Sequence, residues 1–157
     1  MSGRVLARLA ELGLTLPEVA APVAAYVPAV VDGDRVWTSG QLPFVDGKLL
    51  ATGKVGDGPG LVAPPDAAAL ARVCALNALA AVKSVIGDLD RVARIVKLVG
   101  FVSSDPAFTG QPGVVNGASQ LLAEVLGDAG VHARSAVGVA SLPLDAPVEI
   151  ELVAALR

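Results

Sequence analysis

Apolar positions change their period several times along the 157-residue chain, and each change marks an element. Val5, Leu6, Leu9 and Leu12 recur at helical spacing and Gly13 follows as a C-cap, which predicts a short first helix over 2–12. In "TLPEVAAPVA" Pro17 and Pro22 disfavour helix at the residues before them, so this stretch reads as an extended linker. From Tyr26 the period shortens to two. The β-rich runs "YVPAVV" and "RVWTSG" flank Asp32-Gly33-Asp34, a strong hairpin signal, and "GKLLATGKVG" offers a weaker third strand. Glycine and proline crowd residues 53–65, which predicts a long loop. Asp66 then opens a helix running to about Ile86, with Leu70, Val73, Leu76, Ala80 and Val85 as its apolar face and Gly87 as its stop. "RVARIVKLVGFVSS" is apolar on both faces and reads as a central strand. A second long helix is predicted over Val114 to Leu126, closed by Gly127. "HARSAVGVASLPLDAPVEIELVAAL" supplies two last strands joined by a proline-containing turn.

Apart from the first helix, the order ββ(β)αβαββ predicts an α+β fold. It is an antiparallel-rich mixed sheet backed on one face by two long helices. The strand over Val92–Val102 is apolar on the other face too, and a symmetric neighbour is the economical cover for it. The chain is expected to divide into an N-terminal helix and linker over 1–20 and one domain over 21–157. There is no internal repeat.

Composition narrows the function classes. At 54% hydrophobic and 17% charged, disorder is excluded. The net charge is −3 and the 12 lysines and arginines are scattered, so no nucleic-acid partner is expected. The N-terminus lacks a signal-peptide pattern, and no charge-free apolar run reaches the roughly 18 residues of a membrane span. "AALARVCALNALAAV" comes nearest, but Arg72 and Asn77 interrupt it. One cysteine, Cys74, permits neither an intrachain disulfide nor a cysteine-based metal site, and a reducing, cytoplasmic setting is expected.

The usual catalytic signatures are absent. The single histidine, His132, has no ligand cluster around it, no GxGxxG or P-loop occurs, and no GxSxG surrounds a serine. His132 therefore reads as a strand-entry residue. Polar residues do gather at strand ends and turns: Tyr26, Ser39, Gln41, Asn116, Arg134 and Glu149. By default Tyr26 is an amphipathic edge aromatic, Ser39-Gly40 a bend, and Asn116 a helix-start residue. Glu149 and Glu151, two apart on a strand, share one face, as a solvated acid pair would. Arg134 is harder to dismiss, because arginine in an apolar strand implies a bound carboxylate, from the protein or from a ligand.

"WTSGQLP", "VVNGASQLLAEVLG" and "HARSAVGVASLPLDAPVEIE" resemble the RidA/YjgF family of small trimeric proteins, and the resemblance extends from Tyr26 to Leu156. The extra first helix and longer glycine/proline loop are similar to a longer branch of that family. The resemblance implies a chorismate-mutase-like fold whose three subunits join their sheets into a central barrel, with sites between subunits. It implies hydrolysis of reactive 2-imino or enamine acids to 2-keto acids and ammonia, without metal or organic cofactor. Its partners would be a small carboxylate substrate and two more copies of the chain. By the same resemblance Arg134 clamps the substrate carboxylate and Glu149 holds or activates water, as the catalytic pair. Tyr26, Ser39, Gly40, Asn116 and Ala136 line the cleft. Two departures stand out. Ala136 replaces a cysteine, keeping only the backbone N–H, and Gly138 replaces a glutamate, which would enlarge or neutralise the cleft. A non-catalytic trimer that binds small carboxylates or acts as a chaperone is the alternative. A ribonuclease role would want a two-histidine acid–base pair that this chain lacks.

Overall fold

The computed structural model describes residues 3–19 and 25–157. The expected boundary at residues 20/21, and Pro22 with it, lies outside the described residues. Helix α1 spans Arg4–Glu11 and turns out at Gly13, whose φ of 70° favours glycine. Strands β1 (Ala29–Asp32) and β2 (Arg35–Thr38) form the expected hairpin, with Asp32 paired to Arg35 and Gly33 at φ 60° in the two-residue loop. The weak third strand becomes a small separate ribbon, β3 (Phe44–Val45) and β4 (Lys48–Leu49), closed by Asp46-Gly47 with both φ angles positive. The glycine/proline stretch is a loop, but a tied one. Val55 is fully buried, and its N–H donates to the Ser103 carbonyl at 2.7 Å.

Helix α2 spans Pro64–Ile86 and α3 spans Gln111–Leu126. Both start two or three residues earlier than their periodicity suggests, because proline is well placed in a first turn, where its missing N–H would have no partner. The face of α2 meets expectation at Leu70 and Ala80, which are buried, and differs elsewhere. Ala67, Ala71, Cys74, Ala75, Ala78 and Val82 are buried, while Val85 is exposed and Val73 and Leu76 are half-buried. Small side chains face inward because the packing is close: a Cβ at Gly117 of α3 would lie 1.9 Å from the Ala68 carbonyl oxygen of α2. By length and composition α2 could cross a membrane, yet over half of its most apolar stretch is buried in the protein core.

Strands β5 (Val92–Ser103), β6 (Ala133–Val139) and β7 (Val148–Leu156) complete a five-stranded sheet in the order β1-β2-β7-β5-β6. Only the β5–β6 pair is parallel. The α2 and α3 layer covers one face through Ile95, Leu98, Val102, Ile150, Leu152 and Ala154, all nearly or fully buried. The opposite face carries apolar side chains on all five strands, Val30, Trp37, Val153, Val99, Phe101 and Val137, interspersed with Lys97, Glu149 and Glu151. Among the described residues nothing covers it, and Val30, Trp37 and Val137 are 49%, 50% and 43% exposed.

Helix α1 lies against α3 and the 3₁₀ turn before β5, with Val5 and Leu9 buried in the same apolar cluster as the sheet. Asp90 in that turn caps it: Arg4 and Val5 donate their backbone N–H groups to its carboxylate at 2.7 and 2.8 Å.

Candidate functional site

Glu149 sits on the open face of β7, in register with Phe101 of β5 and, through it, Val137 of β6. Its position depends on a bulge. From Trp37 to Gln41 is four residues along the β2 side, whereas their partners Val153 and Ile150 are three apart on β7, so one extra residue is accommodated at Ser39-Gly40. The bulge brings Gly40 over Glu149 so closely that a Cβ there would lie 1.7 Å from the carboxylate Oε1. A side chain at position 40 would therefore displace the Glu149 carboxylate. Ser39 pins the preceding segment, its Oγ donating to the Val27 carbonyl at 2.6 Å and its N–H to the Pro28 carbonyl at 2.8 Å. That segment carries Tyr26, which is exposed. Gln41 exchanges two backbone hydrogen bonds with Ile150, and Asn77 of α2 donates to the Leu42 and Phe44 carbonyls, fixing the chain beyond the bulge.

No protein donor meets the Glu149 carboxylate among the described residues. Burial, and secondarily the Glu151 charge, raise its proton affinity above the ordinary carboxylate range. Glu149 is thus a partly desolvated, unpaired acid that holds a proton more tightly than a surface glutamate. Cys74 lies beneath the strand, its thiol against the Val148 carbonyl, and burial raises its pKa. It is an inert core residue.

Arg134 lies on β6 and turns toward the helix side. Its Nη1 donates to Asn116 Oδ1 at 2.8 Å and Ser119 Oγ at 3.2 Å, and its Nη2 makes a longer 3.4 Å contact with the Pro112 carbonyl. All three acceptors are on α3 and all are neutral. The guanidinium makes no salt bridge among the described residues, and its Nε edge is unused. Asn116 is not at the helix start. It is one turn in, and its side chain works as a prop for the arginine. Ser119, which the sequence pattern did not single out, is the second prop. His132, more than a strand-entry residue, bonds Ser119 Oγ through Nε2 at 3.0 Å and the Gly130 carbonyl through Nδ1 at 2.7 Å.

Ala136 follows on the same side of β6 and packs against the apolar cluster. Gly138 corrects one expectation. The cleft is not enlarged there, because a Cβ at 138 would lie 2.8 Å from Gln111 Nε2 and 3.0 Å from Ser104 Oγ. Gln111 itself is fixed by hydrogen bonds to Ser104 Oγ at 3.1 Å and the Phe108 carbonyl at 2.8 Å. A neutral amide occupies the space beside Gly138.

The predicted residues therefore form two groups. Asn116, Arg134 and Ala136 lie on the helix side of β6, while Ser39, Gly40 and Glu149 gather on the open face around β7. Arg134 and Glu149 do not meet within one chain. Their strands are separated by β5, two spacings or about 10 Å, and they are a further three residues, about 10 Å, out of register. Sequence could not reveal this separation, since alternation places a residue on a face only once strand order is known. No group of three or more His, Cys, Asp or Glu side chains converges to hold a metal among the described residues.

Comparison with known proteins gives one consistent result. The family model described as "YjgF/chorismate_mutase-like, putative endoribonuclease" matches residues 6–156. Protein TCP17 of Trypanosoma cruzi is 46% identical, covering 99% of this chain and 96% of its own length. The Atu1372 protein of Agrobacterium tumefaciens is 45% identical with a TM-score of 0.89, covering 98% of this chain and 93% of the other. Escherichia coli TdcF, whose structure contains bound serine, is 28% identical with a TM-score of 0.64, covering 91% of this chain and 95% of the other. In sequence and in the arrangement of sheet and helices, this chain belongs to the YjgF/RidA family.

Proposed function

We propose that the protein hydrolyses reactive 2-imino or enamine acids to 2-keto acids and ammonia, in a cleft completed between copies of a cytoplasmic homotrimer. One observation carries this reading: among the described residues Arg134 is held only by neutral acceptors, so its charge is left to be compensated by a ligand carboxylate. Had it been a structural arginine, a protein acid would be expected beside it. The serine bound to TdcF is a small amino acid with such a carboxylate. The separation of Arg134 from Glu149 supports a cleft between copies, where the helix-side edge of one chain meets the open-face group of the next.

The chemistry asks little of the protein. A protonated imine carbon is already electrophilic. Arg134 orients the substrate by its carboxylate, and Glu149, with its raised proton affinity, takes a proton from the attacking water. The carbinolamine so formed takes that proton back from Glu149 onto its nitrogen, which restores the carboxylate. Its hydroxyl then loses a proton to Glu149 as the C–N bond breaks, releasing ammonia and the 2-keto acid.

The test couples the protein to a threonine dehydratase and follows 2-ketobutyrate. Arg134→Ala should lose about 3–5 kcal/mol of substrate interaction, roughly a hundred- to several-thousand-fold in kcat/KM. Arg134→Lys should fail similarly, because an ammonium cannot reproduce the planar fork. Glu149→Gln should keep binding 2-ketobutyrate and lower turnover. Equal affinity of wild type and Arg134→Ala for 2-ketobutyrate would remove the clamp. Tight binding without rate acceleration would leave a non-catalytic carboxylate binder.

A further inference from the structure

Arg134 can serve as a clamp only if its guanidinium is held in one orientation. We infer that His132 and Ser119 form a two-residue positioning relay that fixes it, a proposal that rests on the reading of Arg134 as a carboxylate clamp. The relay is directional. A carbonyl can only accept, so the 2.7 Å contact to Gly130 places the proton of the His132 ring on Nδ1. In the neutral ring Nε2 is then an acceptor, and the 3.0 Å contact requires Ser119 to donate its hydroxyl proton to it. The lone pairs of Ser119 are thereby left for Arg134 Nη1, 3.2 Å away. Without His132 the hydroxyl could turn its proton toward the guanidinium. With it, Ser119 is an obligate acceptor.

The consequence for the clamp follows from the donor inventory. Asn116 and Ser119 together occupy both hydrogens of Nη1. Nη2 also makes the 3.4 Å contact to the Pro112 carbonyl, which leaves the Nε hydrogen and the second Nη2 hydrogen for a ligand carboxylate. Gly130, which anchors the far end of the relay, is itself held against α3, where a Cβ would lie 2.1 Å from the Leu122 carbonyl oxygen. The relay thus links the α3–β6 connection to the arginine through contacts that use no acid.

His132 is the only histidine in the chain, so nitrogen NMR of labelled protein reports one imidazole. Ligand-free protein at pH 7.5 should show the Nδ1-protonated tautomer, the opposite of the form free imidazole side chains prefer, and Ser119→Ala should abolish the Nε2 hydrogen-bond signature. An Nε2-protonated ring in wild type would overturn the relay. In calorimetry, His132→Ala should weaken 2-ketobutyrate binding about 5- to 10-fold, the worth of one hydrogen bond near a charge. The same change in a Ser119→Ala background should cost less than about 2-fold, since His132 acts only through Ser119. His132→Gln, which restores an acceptor, should recover most of the loss. Equal losses in both backgrounds would overturn the proposal. If wild type binds no 2-ketobutyrate, the clamp reading fails by itself. The relay is then judged from the Arg134 Nε–H resonance, assigned with Arg134→Lys: a shift on His132→Ala sustains it, and an unmoved resonance ends it.

Discussion

At the scale of single residues, the glycine before Gln41 and the glutamate beneath it are one device. A methyl group at position 40 would collide with the Glu149 carboxylate, the far end of a flexible side chain, so the fold can absorb the change by swinging the acid aside. Gly40→Ala should therefore remain folded, with a melting temperature within a few degrees of wild type, while turnover falls toward that of Glu149→Gln. A large loss of stability with normal turnover would show that Glu149 need not sit under the bulge. The acid also has a thermodynamic signature. Its folded-state pKa is raised by burial and by Glu151, so the native state binds the proton more tightly than the unfolded chain. Ionisation opposes folding, and stability falls as pH rises from the ordinary carboxylate value through the raised one. Glu149→Gln should match wild type in denaturant melts below that window and be the more stable protein above it. An unchanged difference across pH would mean the carboxyl is not desolvated in solution.

Elements carry the next set of consequences. Helix α1 is too short to persist alone, and its two anchors are the burial of Val5 and Leu9 and the Asp90 cap. Hydrogen bonds from the Val5 and Arg4 N–H groups lower the Asp90 pKa. The cap is present above the ordinary carboxylate value and is lost as pH falls through the depressed one. Asp90→Ala should cost about 1 kcal/mol at neutral pH, and the deficit should shrink in acid. Deletion of residues 1–20 should leave an assembled protein with a lower melting temperature, since the sheet and its two long helices keep their own interface. Loss of all soluble protein on deletion would place α1 in the indispensable core.

For the whole molecule, the row from Val30 to Val137 is the dominant unsolved surface of a lone chain. Apolar rows of this extent on a soluble protein are usually covered. Light scattering at micromolar concentration should give three times the chain mass, and a charge at the row's centre, Val99→Asp, should shift the protein toward monomer and remove activity with it. Activity surviving in a monomeric Val99→Asp protein would place the whole site within one chain.

Periodicity and turn chemistry by themselves determined a good deal of this protein. The two long helices, the Asp32–Arg35 hairpin, the central strand β5 and the last pair of strands were legible because each rests on local forces: spacing of apolar side chains, glycine at positive φ, glycine at helix stops. Arg134 and Glu149 were legible as anomalies, charges where burial is the rule. Tertiary structure alone decided the rest. Which face of α2 turns inward was set by how closely a helix can approach its neighbour, which favoured alanines over the larger residues that the pattern emphasised. The bulge that makes room for Glu149, the filling of the space beside Gly138 by Gln111, and the Ser119–His132 support behind Arg134 all join residues distant in sequence or on different elements. So does the separation of Arg134 and Glu149, because strand order follows from which surfaces pack together, and no local pattern encodes it.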